Sequence, residues 1–341
     1  MQKDHYLYLD LAKVLAIFLV IVNHTNSQIF LSLSPSITWF SSLTYFYLCR
    51  VAVPVFIMAT GAVLLSRVEP YSVHAKRIGR MMVVLVVFSM FYLYVNNAYP
   101  TTFSDGLQTI KTLTGKPASN ALWYLYLYIG ILFALPFLQR LIKALDKRDI
   151  EMLLIISLLL FGFLYSLTHG LGVQAYAKIE LTFFAYPVGY LCAGYYVQKY
   201  VPSSSALLAI AIAAFIISVT FAVLISWSQF DLGYGRYLSW SDLQSLNTIV
   251  ESLSFFYIIK CVANNKILVK SKGLIHTMAL CVFGTYLISD FVLVRTFPYY
   301  LNFLTSMHPL IACVLWQLMI FTVCMVVVYL ARIIPVIRRY I

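Results

Sequence analysis

The first apolar stretch of the chain, residues 6–30, carries side chains whose types and spacing are suited to chemistry. Lys13 and His24 are eleven positions apart, so a helix of roughly 3.6 residues per turn places them on one face, about 16 Å apart along its axis. Ionisable groups inside a membrane helix are costly, and their default interpretation is functional. A neutral imidazole can accept the proton of a hydroxyl or carry an acyl group. His24 is therefore a candidate catalytic residue, and a helix-packing histidine is the structural alternative.

Asp10 adds a carboxylate to the same stripe. It precedes Lys13 by three positions, which is close enough for an ion pair on a helix. The stripe thus has a carboxylate and an amine near one end and an imidazole near the other. We predict Asp10, Lys13 and His24 as the catalytic set of a site that reaches across much of a membrane. A proton relay in a transporter is the competing interpretation.

Composition places the chain among all-α polytopic membrane proteins. Hydrophobic residues make up 62% of it and charged residues 11%, whereas soluble domains have about 25% charged residues. The sequence predicts one transmembrane domain over residues 1–341, with no appended soluble domain. Hydrophobic runs of spanning length predict ten spans, at 6–30, 42–66, 77–98, 122–145, 150–168, 179–200, 205–228, 245–264, 274–296 and 309–332.

The distribution of lysine and arginine predicts the orientation. With the N-terminus in the cytoplasm, seventeen of the 24 Lys and Arg residues fall in inside segments and five in outside loops. This bias predicts that both termini are cytoplasmic, with Lys13 towards the cytoplasmic side and His24 towards the outer side. The net charge of +12 is then explained by basic loops, so the chain is not expected to bind nucleic acid. The six cysteines show no metal-ligand spacing, and no metal site is predicted.

A basic group begins the third predicted span. Lys76 and Arg80 share a helix face, with Arg77 beside them. Arginine forks match phosphate oxygens, so the three residues are candidates for holding a phosphate-bearing cofactor. Topology alone also predicts cations at this position.

Residues on the outer side are candidates for binding a substrate. Arg50 lies in or at the rim of the second span, where it can bind an anion, pair with a carboxylate or extend to the interface. Pro54, four residues later, is expected to kink that span. Aromatic and carboxylate side chains together can bind sugars, and a belt of interfacial aromatic residues is the ordinary alternative. These outer candidates are Trp123, Tyr124, Asp231 and Arg236, and the last two share a loop with Asp242.

Three segments resemble the acyltransferase-3 family of bacterial membrane proteins. YLDLAKVLAIFLVIVNH (Tyr8–His24) is similar to the family's opening, with a cation, ten positions and a histidine. RVAVPVFIMATGAVLL (Arg50–Leu65) resembles its second-span motif, and LWYLYLYIGILFALPFL (Leu122–Leu138) resembles its fourth span. In size the chain is similar to the compact branch that acetylates enterobacterial common antigen, which has no soluble domain.

The resemblance implies a reaction and assigns roles. It implies transfer of an acyl group, most simply acetyl, from cytoplasmic acyl-coenzyme A to a hydroxyl of a surface polysaccharide or lipid-linked glycan, at the bacterial inner membrane. His24 would be the catalytic histidine, and Arg77 and Arg80 the arginines after span two. Two positions depart from the family: Lys13 stands where arginine is usual, and Ser289 where the late-span motif commonly has histidine. An exporter of a saccharide is the alternative function, although no internal repeat of the kind common in transporters is present.

Overall fold

A computed structural model describes residues 6–30, 35–98, 105–106, 116–172, 186–232 and 238–341. These residues form helices and turns, and no strand occurs among them. The α-helices are α1 (Leu7–Phe30), α2 (Ile37–Cys49), α3 (Ala52–Leu64), α4 (Tyr71–Val95), α5 (Trp123–Ala144), α6 (Lys147–Ser157), α7 (Tyr186–Tyr200), α8 (Ser205–Ser228), α9 (Leu246–Val262), α10 (Lys266–Lys270), α11 (Lys272–Leu304), α12 (Pro309–Ala331) and α13 (Pro335–Tyr340).

The all-α polytopic prediction is confirmed. Within the described residues, nine helical segments are long and apolar enough to cross a membrane. They are α1, the α2–α3 pair, α4, α5 with the turn before it, α6 with its continuation to Gly170, α8, α9 with the turn before it, α11 and α12. The sixth predicted span, 179–200, is described only from Tyr186 as α7, and residues 179–185 lie outside the described residues.

The second span is interrupted one turn before its proline. The helix breaks at Arg50 and Val51, between α2 and α3. Val55 donates to the backbone oxygen of Val51, but Pro54 has no N–H to donate to the oxygen of Arg50, four residues earlier. A proline inside a helix removes this hydrogen bond and kinks or breaks the helix there. The interruption therefore lies where a kink caused by Pro54 is expected, and it presents Arg50 at a helix junction.

Helix α1 lies at the centre of the bundle. It packs against α2, α3, α9, α11 and α12. Ala12, Ala16 and Ile17 are completely buried on it, and small residues such as the two alanines let neighbouring membrane helices approach closely. On a helix surrounded by other helices, a polar side chain needs a hydrogen-bonding or charged partner, or it must face a cavity.

Two glycines bring α3 and α7 into backbone contact. A Cβ atom on Gly61 would lie 2.0 Å from the backbone oxygen of Leu191, and one on Gly194 would lie 2.0 Å from that of Met58. Any larger residue would overlap the facing backbone. This close crossing fixes α3, and with it the junction that carries Arg50, against the rest of the bundle.

Candidate functional site

A cavity of about 740 Å³ lies beside α1 and joins both ends of its polar stripe. Lys13, Asn23 and His24 all contribute to its wall. Lys13 and His24 are separated by about 16 Å on this helix, from a rise of about 1.5 Å per residue. The prediction that they share a face is thus confirmed, and the face they share opens onto one cavity.

Asp10 holds the Lys13 end of the stripe. Its Oδ1 lies 3.6 Å from Lys13 Nζ, so the predicted ion pair is confirmed. Its Oδ2 lies 2.8 Å from Nδ1 of His276, on α11. The Asp10 side chain is 9% exposed and that of Lys13 36% exposed, so a buried carboxylate fixes an amine that reaches the cavity.

Arg50 organises the His24 end. Its Nε donates to the backbone oxygen of Ser241 at 2.7 Å, and its Nη1 donates to Asn23 Oδ1 at 3.2 Å. Its guanidinium lies 5.2 Å from the ring centre of Phe46. Asn23 directly precedes His24, so the junction between α2 and α3 is tied to the helix turn that presents the imidazole.

Asp242, in the loop before α9, supplies a carboxylate that reaches the cavity. It lines the wall and accepts a hydrogen bond from the Tyr165 hydroxyl. Tyr165 lies between two π-helical stretches, Leu158–Phe163 and Ser166–Gly170, that continue α6, and such irregular turns are frequent at functional sites. Asp231, the loop carboxylate singled out from sequence, is exposed and outside this wall, and Arg236 lies outside the described residues.

Aromatic rings form another part of the wall. Trp123 and Tyr124, the aromatic candidates for binding a substrate, both line the cavity, together with Tyr128 and Tyr286. The Tyr124 ring is stacked on Tyr128 at 6.2 Å and meets Tyr286 edge-on at 5.8 Å. The Tyr286 hydroxyl donates to the backbone oxygen of Ala121 at 2.6 Å and accepts from the Leu125 N–H at 3.2 Å. α11 thereby fixes the start of α5, where Trp123 lies.

The end of the cavity near Lys13 is cationic. Arg80, in the N-terminal half of α4, donates to the backbone oxygen of Arg339 at 3.4 Å. Arg332, just after α12, donates to the backbone oxygen of Ile341. Arg338 also lines the cavity. In the described wall, Asp242 is the one acidic side chain, and the cations are Lys13, Arg50, Arg80, Arg332 and Arg338.

Arg77 has a different environment from Arg80. Its Nη1 and Nη2 donate to the two carboxylate oxygens of Glu69 at 2.8 and 3.2 Å. Gln139 on α5 accepts from the Glu69 N–H at 3.0 Å and from His74 Nε2 at 3.1 Å. The Arg77 hydrogen bond and charge hold the pKa of Glu69 below its ordinary value. Arg77 therefore clamps the α3–α4 turn, while Lys76 is exposed, and neither side chain lines the cavity.

The cavity can bring an anion and a proton acceptor together. Guanidinium and ammonium groups attract phosphate or carboxylate at one end, and the imidazole of His24 can deprotonate a hydroxyl at the other. Apolar and aromatic side chains between them shield a reacting group from bulk water. The arrangement fits group transfer between an anionic donor and a hydroxyl acceptor.

A comparison with protein families identifies the family of this chain. The Acyl_transf_3 family model, described as an acyltransferase domain, matches residues 6–334. The chain belongs to the acyltransferase-3 family. As a member of this family it is a membrane acyltransferase, with its predicted catalytic residues on a helix that the match includes. Searches of curated proteins and of solved structures gave no match, and the resemblance to a compact branch stays a prediction.

Several residues that line this acyltransferase's cavity or contact its polar stripe were missed from sequence. His276, Arg332 and Arg338 join the site only through contacts over long sequence separation, so no local pattern marks them. Asp242 shares a loop with Asp231, and nothing in their spacing distinguishes the one that lines the cavity. Ser289, at the position where the family commonly has histidine, is buried and donates to the backbone oxygen of Tyr286 at 3.1 Å.

Proposed function

We propose that this acyltransferase moves an acyl group, most simply acetyl, from cytoplasmic acyl-coenzyme A to a hydroxyl of a surface polysaccharide or lipid-linked glycan. The observation that carries the proposal is that one cavity has a cationic end and an imidazole end. Coenzyme A is a polyanion with a long uncharged arm that ends in a thiol. Such a donor matches a site whose charge lies at some distance from its proton acceptor.

The donor phosphates lie at the cationic end in this proposal. Arg80 contacts them, and Lys13, held by Asp10, lines the passage of the pantetheine arm. The family resemblance also implies a role for Arg77, and the basic group in the sequence made Lys76 a candidate for holding the donor. Since their side chains lie outside the cavity wall, we propose that Arg77 acts by securing the start of α4.

The acceptor lies at the His24 end. In this proposal, Asp242 accepts hydrogen bonds from hydroxyl groups of the sugar. Arg50 and Asn23 orient the sugar, and the Trp123 ring stacks on a face of C–H groups. A carboxylate beside an exposed aromatic ring is a common arrangement for binding a polyol, because the ring covers apolar C–H groups while the carboxylate accepts hydrogen bonds.

His24 carries the chemical step. The acceptor oxygen bonds to the thioester carbonyl carbon as the imidazole takes the hydroxyl proton. Collapse of the tetrahedral intermediate breaks the C–S bond, and the leaving thiolate takes that proton from the imidazolium. The net reaction converts a thioester and an alcohol into an ester and a thiol. The chain is proposed to lie in a bacterial cytoplasmic membrane with both termini inside, which supplies the donor from one side and the glycan from the other.

The proposal is tested by measuring base-labile O-acyl groups on surface glycans by mass spectrometry. Cells that make the wild type are compared with cells that make His24→Ala at equal membrane levels and with cells that lack the protein. His308→Asn is the matched histidine control, because His308 is exposed and caps α12 away from the cavity, and asparagine preserves the cap.

We expect esters with the wild type and with His308→Asn, and their loss with His24→Ala. The ester mass identifies the acyl group. Equal ester levels with His24→Ala and the wild type would refute the role of His24. Ester formation without dependence on acyl-coenzyme A would refute the donor.

A further inference from the structure

The chain after α12 folds back onto the cavity. Arg332 ends α12, and the short helix α13 follows after a turn. The Arg332 guanidinium donates to the backbone oxygen of Ile341, and Ile341 packs against α11, 3.4 Å from the position that a Cβ on Gly284 would take. Arg80 donates to the backbone of Arg339. These contacts tie α13 to both α4 and α11 and place Arg338 in the cavity wall.

No acidic side chain among the described residues neutralises the arginines brought there. Lys13 has an ion pair with Asp10, but no Asp or Glu side chain in the described part of the chain forms an ion pair with Arg80, Arg332 or Arg338. Arg80 donates to the backbone oxygen of Arg339, which carries no net charge, and Arg332 donates to an oxygen of Ile341. Three guanidinium groups in one concave wall, with Lys13 nearby, create a positive potential that favours a polyanion.

Membrane topology explains cations at this end of the bundle in general, but not their position in the wall. Lys76 and Lys270 are exposed and lie outside the cavity. Exposed basic residues of this kind are sufficient to orient a membrane protein. Arg332 and Arg338 instead line the same cavity as Lys13 and His24. Arg332 and Arg338 reach the wall because α13 folds back onto the cavity. The positive-inside distribution of charge does not require α13 to fold back.

We propose that Arg332 and Arg338, together with Arg80, bind the phosphate groups of the donor, so that the segment after the last span completes the donor site. The inference rests on the proposed function for the identity of the donor as a phosphate-bearing acyl thioester. Arginine forms bidentate, charge-assisted hydrogen bonds with phosphate oxygens. The return of α13 thus gives the final residues of the family match, and those just after it, a role in binding.

The test compares two donors that share the thioester but differ in phosphate. Purified protein in detergent is assayed with acetyl-coenzyme A and with acetyl-pantetheine, which has no phosphate. Arg338→Gln is the leading variant, because Arg338 is exposed and its loss is not expected to impair folding. Arg332→Gln and the charge-preserving Arg332→Lys are the second pair, and Lys270→Gln is the control for loss of one positive charge.

We expect kcat/KM with acetyl-coenzyme A to fall about tenfold or more in Arg338→Gln and Arg332→Gln, as for loss of a hydrogen bond between charged groups. Activity with acetyl-pantetheine should stay at the wild-type value, and Lys270→Gln should match the wild type with both donors. Equal losses with both donors would show a structural role and overturn the inference.

Direct binding of coenzyme A to the wild type separates this inference from the proposed function. If the wild type binds coenzyme A and the arginine variants bind it equally well, the role of Arg332 and Arg338 is refuted while the donor stands. If the wild type does not bind coenzyme A, the donor assignment fails and the inference fails with it.

Discussion

The Glu69–Arg77 pair allows a quantitative test of whether Arg77 is a structural or a donor-binding residue. Both hydrogen bonds, at 2.8 and 3.2 Å, join side chains that are 13% and 20% exposed. Exposed ion pairs contribute roughly 0.2–1 kcal/mol, and hydrogen bonds to charged groups contribute roughly 1.5–3 kcal/mol. For a partly buried, bidentate pair we expect a coupling energy of about 1–2 kcal/mol.

The assay is a double-mutant cycle with Glu69→Gln, Arg77→Gln and the double variant. Unfolding free energies are measured in detergent micelles, and the KM for the donor is measured on the same preparations. We expect each single variant to be destabilised, the double variant to be less destabilised than the sum, and the KM to change in parallel for both single variants. A rise in KM confined to Arg77→Gln, without a coupling energy, would refute the structural role and support direct donor binding.

The same pair predicts a pH dependence. Arg77 lowers the pKa of Glu69 in the folded protein, so the folded state holds its proton less tightly than the unfolded state. The stabilisation is therefore complete above the ordinary glutamate pKa of about 4.3 and is lost as the pH falls through the lower folded value. The stability difference between the wild type and Glu69→Gln should be constant near neutral pH and shrink below about pH 4.

Two further predictions concern helix packing and the Lys13 end of the site. Gly194→Ala should destabilise the protein by about 1–3 kcal/mol, because the added Cβ would lie 2.0 Å from a backbone oxygen of α3. Gly130→Ala is the control, because Gly130 has open space around it. Equal thermal unfolding midpoints for the two variants would contradict the close crossing of α3 and α7. His276→Ala should lower the unfolding free energy by about 1–2 kcal/mol through loss of its hydrogen bond to Asp10. His276→Asn, whose amide nitrogen is close to the lost Nδ1, should recover part of this, and no recovery would argue against that hydrogen bond as the cause.

In the proposed reaction, the hydroxyl acceptor and the thioester donor need not enter from the same side of the membrane. Helix α1 contributes Lys13 at one end of the cavity and His24 at the other. One helix therefore sets the distance between the proposed donor site and the proposed proton acceptor. Variation in the loop that carries Asp242 can then change the proposed acceptor without moving His24.

Features that depend on nearby residues were predictable from the sequence. Hydrophobic runs predict helices because a span must satisfy its backbone internally. Helix periodicity places Lys13 and His24 on one face, and a separation of three positions pairs Asp10 with Lys13. Motif spacing further indicated the family. These features need only the regular geometry of a single helix.

Features that depend on how helices pack needed the tertiary structure. His276 is 266 positions from Asp10, and Arg80 meets a backbone oxygen 259 positions away. Arg77 and Arg80 are the same residue type and lie about one helical turn apart. Arg77 forms hydrogen bonds with Glu69 and lies outside the cavity wall, whereas Arg80 lines the cavity. The order of residues along the chain is enough to predict a helical membrane protein with a polar stripe on its first helix. Packing alone decided which cations and carboxylates face the cavity, because a side chain's partner depends on neighbours that the linear order does not specify.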